Sequence, residues 1–154
     1  MVAATETDWE ASMLVSQVIK EKGVAVFTVS PHQTVGEAAA LLHELKVGAM
    51  VVVDDRDEVV GILSERDVVR VVGLHGGQAL DRNVSGCMTR KVIFARPEET
   101  VDSLLGRMTD RRVRHLPVLD DGRLAGIVSI GDLVKRKIAE TVAEAEELKA
   151  YISA

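Results

Sequence analysis

The chain has 154 residues, 47% of them hydrophobic but only 3% aromatic, with a formal net charge of −5. That length fits one domain, or two small units sharing a core built from Val, Leu, Ile, Ala and Met. The negative balance leaves no whole-chain electrostatic reason to bind nucleic acid or an acidic membrane surface.

Cys87 is alone, which excludes a disulfide framework and a cysteine-based zinc site. His32, His43, His75 and His115 show no ligand spacing. Residues 1–9 have neither the basic start nor the apolar run of a signal peptide. No apolar stretch is long enough to span a bilayer. The expectation is a soluble, cytoplasmic protein.

Residues 1–11 are polar and aperiodic, a loose leader. Leu14, Val15, Val18 and Ile19 have helical spacing within residues 12–22, and Gly23 can end that helix. Residues 24–29 are short and β-branched, a predicted strand closed by Pro31. Thr34 and Glu37 form a capping box, in which hydroxyl and carboxylate each satisfy a free backbone N–H. The helix they open carries Val35, Ala38, Ala39, Leu42 and Leu45 on its apolar face and is ended by Gly48. Residues 49–53 are a continuous apolar run, a strand buried on both faces. An acidic turn, a strand at 59–63 and a helix from Glu65 to about Val72 follow.

Residues 75–86 are polar, contain Gly76-Gly77 and read as a connector. Then the order recurs. A strand at 92–95 is closed by Pro97, and Thr100 opens a helix carrying Val101, Leu104, Leu105 and Met108. Strands at 116–119 and 124–128 lead into a long helix from Gly131. Pro31 and Pro97, Thr34 and Thr100, and Val47 and Val113 are each 66 residues apart; Gly61 and Gly126, Ser64 and Ser129, and Asp67 and Asp132 are each 65 apart. The lost residue falls in the acidic turn, where a hairpin tolerates it. Such a repeat implies two similar units packing apolar faces together, because each alone has little core.

Ser64-x-x-Asp67 and Ser129-x-x-Asp132 read first as helix caps. Each follows a glycine and two apolar residues, where a buried strand turns into a helix. A carboxylate there can also accept both hydroxyls of a ribose, while the hydroxyl and free N–H groups meet a phosphate.

The element order strand-helix-strand-strand-helix, twice, with Gly-apolar-apolar-Ser-x-x-Asp at each last corner, resembles the CBS domain pair, or Bateman module. The resemblance covers residues 15–138. It implies an α/β fold of mixed α+β type: two pseudo-symmetric β-α-β-β-α units with small sheets packed on helices, and two clefts between them holding adenine nucleotides or related adenosyl ligands. Carried over by position, Asp67 and Asp132 bind ribose diols, and Ser64 and Ser129 meet the first phosphate. Ala25, Val26 and Phe27, with Val92 and Ile93, meet adenine through backbone groups. In the family each cleft borrows its opening strand from the opposite unit, so Asp132 pairs with Val26 and Phe27, and Asp67 with Val92 and Ile93. The corners Val47, Gly48 and Ala49, and Val113, Arg114 and His115, line the clefts. Arg114 and Arg66 are expected on the phosphates of the Asp132 cleft, where a guanidinium fork donates two bonds at once. The Asp67 cleft, with His115, is expected to bind more weakly. Arg111 and Arg112 read as a solvated helix end.

The expected divisions are a leader (1–11), a first unit with its N-terminal helix (12–74), a connector (75–86), a second unit (87–138) and a helical extension (139–154). In that extension Leu133, Val134, Ile138, Val142, Ala145, Leu148 and Ile152 recur at helical spacing. The surplus apolar face asks for a second copy or a client protein, unless it folds back on its own units. No nucleophile with an adjacent base, no metal cluster and no Walker loop stands out. The expected function is a non-catalytic regulatory module, a homodimer sensing AMP, ADP, ATP, NAD(H) or S-adenosylmethionine, with or without Mg²⁺. A nucleotide-hydrolysing enzyme and a nucleic-acid binder acting through Arg111, Arg112, Arg114 and Lys135-Arg136-Lys137 are the rival classes.

Overall fold

A computed structural model describes residues 13–23 and 26–153. The expected leader and Ala25 lie outside the described residues. The elements run α1 (Val15–Lys22), β1 (Thr28–Val29), α2 (Val35–Leu45), β2 (Ala49–Val53), β3 (Val59–Ser64), α3 (Glu65–His75), α4 (Val101–Arg111), β4 (His115–Asp120), β5 (Arg123–Ser129) and α5 (Ile130–Ser153). This is the mixed α/β repeat that the sequence implies. No helix among the described residues is long and apolar enough to cross a membrane.

In the first half β1 lies parallel to β2, and β2 antiparallel to β3. In the second half only β4 and β5 pair. The strand expected at 92–95 shrinks to one parallel bridge, Ala95 against Val118. The Ala95 N–H donates to the Pro117 carbonyl at 2.9 Å, and the Leu119 N–H to the Ala95 carbonyl at 3.0 Å. On one side Val92 turns its N–H back to the Arg90 carbonyl at 3.0 Å. On the other, Pro97 has no N–H to extend a ladder.

The buried side chains form two clusters, one per half, rather than a single shared interior. Their membership does not follow chain order. Val15 and Val18 of α1 are buried in the second cluster with Leu104, Met108, Leu116 and Leu133. Val84, Cys87 and Met88, which lead into the second half, are buried in the first cluster with Val35, Met50 and Leu63. Chain order groups α1 with the first unit; its packing is with the second. The connector is likewise no polar tether. It winds through two 3₁₀ segments, Gly76–Asp81 and Val84–Gly86, and buries Ala79 and Val84 completely. Its carbonyls and amides are used: the Val35 N–H donates to the Arg82 carbonyl and the Val84 N–H to the Gln33 carbonyl, both at 2.8 Å.

The two motif glycines are where these exchanged segments cross. Over Gly61, Ile62 and Thr89 trade backbone hydrogen bonds of 3.0 and 2.9 Å. A Cβ on Gly61 would lie 2.5 Å from the Met88 sulfur and 3.0 Å from the Thr89 carbonyl oxygen. The three atoms nearest a Cβ on Gly126 all belong to the Ile19 side chain, Cδ1 the closest at 3.0 Å. Gly61→Ala must therefore shift backbone, whereas Gly126→Ala needs one side chain to rotate. Equilibrium urea unfolding is expected to show a loss of about 1–3 kcal/mol for Gly61→Ala and a smaller loss for Gly126→Ala; equal losses would remove the crossing as the reason for Gly61.

Candidate functional site

Both β-strand-to-helix corners close as the sequence suggests. The Ser64 hydroxyl accepts the Asp67 N–H at 3.3 Å, and the Asp67 Oδ2 accepts the Ser64 N–H at 2.9 Å and its hydroxyl at 3.0 Å. The Ser129 hydroxyl accepts the Asp132 N–H at 3.1 Å, and the Asp132 Oδ2 accepts the Ser129 N–H at 2.9 Å. Each carboxylate thus satisfies a helix terminus and faces a cleft.

Asp67 is only 4% exposed, the one charged side chain among the buried residues described. Burying a carboxylate is costly unless it is paired. Here Oδ1 takes a 2.9 Å ion pair from Arg70 Nη2, with the Thr89 hydroxyl at 3.5 Å. Arg70 also reaches the Cys87 carbonyl at 3.3 Å, so it ties the carboxylate to the exchanged segment. Asp132 is more open. Lys22, from α1, donates to Asp132 Oδ2 at 2.6 Å and to the Ile127 carbonyl at 3.0 Å. Burial alone would push the Asp132 carboxyl up; the Lys22 ammonium and the Ser129 bonds outweigh it and hold it below the usual 3.8.

The Asp67 cleft encloses about 240 Å³ and is walled by Gly48, Ile62, Ser64, Glu65, Arg66, Asp67, Arg70, Thr89, Arg112, Val113, Arg114 and His115. The Asp132 cleft encloses about 330 Å³ and is walled by Lys22, Phe27, Lys46, Val47, Gly48, Ala49, His115, Ile127, Ser129 and Asp132. Phe27 of the first half therefore stands with Asp132 of the second. Val26 is half-buried and outside both walls.

Two placements correct the sequence expectation. Arg66 and Arg114 line the Asp67 cleft, not the Asp132 cleft. Arg66 shares the first turn of α3 with Asp67, and Arg114 stands on the α4–β4 corner that faces it. The guanidinium-rich cleft is thus the one expected to be the poorer. Val92 and Ile93 line neither cleft; Ile93 packs on the second cluster, and Thr89 takes the Asp67 wall instead.

Four cationic lining residues, Lys22, Lys46, Arg70 and Arg112, lay outside the sequence expectation. Lys46 and Arg112 are the C-caps of α2 and α4, both left-handed (φ 55° and 54°) and 66 residues apart. Each puts a cation at its own cleft, so Arg112 is no mere solvated helix end. The repeat register was the signal that could have found them. Arg70 was findable too, three residues from Asp67 on one helix. Lys22 carried no local signal, since it meets Asp132 only because α1 crosses to the other half.

His115 lines both clefts. It opens β4 opposite Ser129 and lies where a Cβ on Gly48 would come within 3.0 Å of Nε2. Glycine at 48 is what lets the imidazole sit in the wall between the cavities. Burial chiefly holds the His115 pKa below the usual 6.5; Lys22 and, less so, Arg114 push the same way, against Asp132 and Glu65.

The CBS domain family model matches residues 15–74 and again 84–139, most of the chain. The chain belongs to the CBS domain family. It is 35% identical over 149 residues to the CBS domain-containing protein CBSX3, mitochondrial, of Arabidopsis thaliana, spanning 92% of this chain and 72% of that protein. A CBS-domain protein of Agrobacterium tumefaciens, ATU1752, superposes with a TM-score of 0.81 at 42% identity, covering 86% of this chain and 99% of that one. The CBS domain pair of protein MJ0100 was solved in complex with 5′-methylthioadenosine and S-adenosyl-L-methionine; it superposes with a TM-score of 0.67 at 25% identity, covering 80% of this chain and 94% of that one. The pair here is a CBS pair by sequence and by fold.

A depressed histidine pKa means the folded chain binds fewer protons than the unfolded one just below pH 6.5. The His115 contribution to stability is therefore complete above that pH and is lost as pH falls through the window beneath it. The His115 imidazole is expected to titrate by NMR below a free histidine, and Lys22→Met is expected to raise its midpoint by removing a neighbouring cation. A midpoint that ignores Lys22→Met would break the link between α1 and the shared wall.

Proposed function

We propose that this CBS pair is a non-catalytic sensor of an adenosyl ligand and that the two clefts take ligands of different charge. The observation that carries the reading is the Asp67 cleft, where Arg66, Arg70, Arg112 and Arg114 stand around a capped helix start bearing Ser64 and Asp67. A phosphate-bearing adenosyl ligand suits that wall: its phosphates go to the helix N-terminus and the guanidinium forks, and its diol reaches Asp67 Oδ1 by displacing the largely exposed Arg70 side chain. Mg²⁺ is an accessory to the phosphates, not a requirement. The Asp132 cleft has only Lys22 and Lys46 as cations and suits a ligand of lower charge. There a ribose diol must compete with Lys22 for the carboxylate. The Lys22–Asp132 pair is 39% and 28% exposed, and an exposed pair of this kind is worth about 1 kcal/mol or less, so a diol can displace it. The adenosyl ligands solved with MJ0100 support the ligand class. Signalling is by shape: a ligand bridging segments from both halves changes how they sit together, and a second copy or client protein reads it.

In a thermal-shift screen of AMP, ADP, ATP, NAD(H), 5′-methylthioadenosine and S-adenosylmethionine, at least one ligand is expected to stabilise the chain. At a hundred times its dissociation constant the gain is about 2.7 kcal/mol, several degrees for a chain of this size. Arg114→Gln is expected to weaken the phosphate-bearing ligands about tenfold or more, with 5′-methylthioadenosine unchanged. No shift with any ligand at millimolar concentration would overturn the sensor. Release of inorganic phosphate would favour an enzyme, and salt-dependent RNA binding lost in Arg112→Gln would favour a nucleic-acid binder.

A further inference from the structure

The last turns of α5 rest on nothing. Through Glu140 the helix is fixed to the body: the Met13 N–H donates to Glu140 Oε1 at 2.8 Å, and Lys137 Nζ donates to Asp102 at 3.1 Å. Residues 141–153 are exposed throughout. They do not fold back, which removes one of the fates the sequence allowed. Thirteen helical residues extend about 20 Å, and an isolated helix of about that length is marginal in water.

Along α5, Val134, Ile138, Thr141, Ala145, Leu148 and Ile152 follow one another at steps of four, three, four, three and four. That is the heptad seam of a coiled coil. Ile138 and Leu148 are each 59% exposed and Ile152 is 73% exposed, so the seam is uncovered. It lies roughly 100° round the helix from Leu133, Lys137 and Glu140, which face the body. A second helix can therefore lie against it, and a two-fold axis along the seam would put the two bodies on opposite sides.

We propose that this seam is the docking surface for a second copy of this chain and that the two α5 helices pair in parallel. Charge chooses the occupant and its direction. In a parallel pair Glu144 of one copy faces Lys149 of the other, and symmetry makes the contact twice. In an antiparallel pair with the same overlap, Lys135 faces Lys149 and Glu144 faces its own counterpart, all repulsive. Lys149 is available for the contact, since its described ion pair is a 3.9 Å approach to Glu146 with both side chains exposed. The surface is independent of what the clefts bind.

Light scattering of the full chain at tens of micromolar is expected to give twice the chain mass. Leu148→Glu is expected to give the single mass with the far-UV spectrum of the folded body retained, since that side chain touches no core. Glu144→Lys is expected to weaken the dimer roughly tenfold, and Glu144→Lys combined with Lys149→Glu to restore it. A wild-type monomer, a dimer that survives Leu148→Glu, or a dimer indifferent to both charge variants would each overturn the proposal.

Discussion

The structure depends on an exchange. The segment before each half crosses to the other and completes its core: α1 seals the second sheet over Gly126, and residues 84–89 seal the first over Gly61. Each half has little more than a β-hairpin, with strands of five to seven residues, and two helices of its own. A core of that size is marginal without added cover. Because the cover comes from the partner half, stability and the joint between halves are one property. The clefts lie along that joint, so any ligand in them touches segments from both halves. That is a sound basis for a switch without chemistry, since it needs only a ligand with different affinity for two arrangements of the joint.

The Ser-x-x-Asp corner illustrates how a structural device and a binding device share atoms. The cap occupies Oδ2 of each aspartate with backbone N–H groups, fixing the carboxylate at the mouth of a helix. What remains is charge, and the protein meets it differently in each half. Asp67 is sealed and paired with Arg70 on its own helix; Asp132 is open and paired with Lys22 from the crossing segment. The first carboxylate is preorganised. The second is guarded by a side chain that must move, and moving it loosens α1 from the cleft it borders.

Much of this was legible in the sequence because it is local or periodic. Three capping pairs marked helix starts at Thr34, Ser64 and Ser129, a lone Thr100 marked the fourth, and the 66-residue offset laid one half on the other. The element order, the hairpins and the pairing of Phe27 with Asp132 followed from these and from the family resemblance. What was not legible is long-range. Nothing near Lys22 points to Asp132, and nothing in the polar string 75–86 says that Ala79 and Val84 will be fully buried. The orientation of Arg66 and Arg114 depends on which wall each corner faces, and the repeat pattern is blind to that. The strand at 92–95 failed for the same reason: its β-branched residues favour extension, but one ladder bond on each side of Ala95 is all the neighbouring backbone offers.

The difference between the clefts shows how little sequence a symmetric scaffold needs to become asymmetric. The two corners correspond in the repeat, with Lys46-Val47-Gly48-Ala49 in one half and Arg112-Val113-Arg114-His115 in the other. Both begin with a left-handed cap, a conformation that costs a side-chain-bearing residue roughly 1 kcal/mol or more. Glycine would avoid that cost, yet both positions keep a long cation aimed at a cleft. Two steps on in the repeat, Arg114 stands where the first half has Gly48, and His115 where it has Ala49. Gly48 makes room and the His115 imidazole fills it, so both cavities share that ring and that glycine in their walls. A charge placed in either cavity therefore acts on the same ring, and through it on the other cavity. The halves repeat, but the joint between them does not.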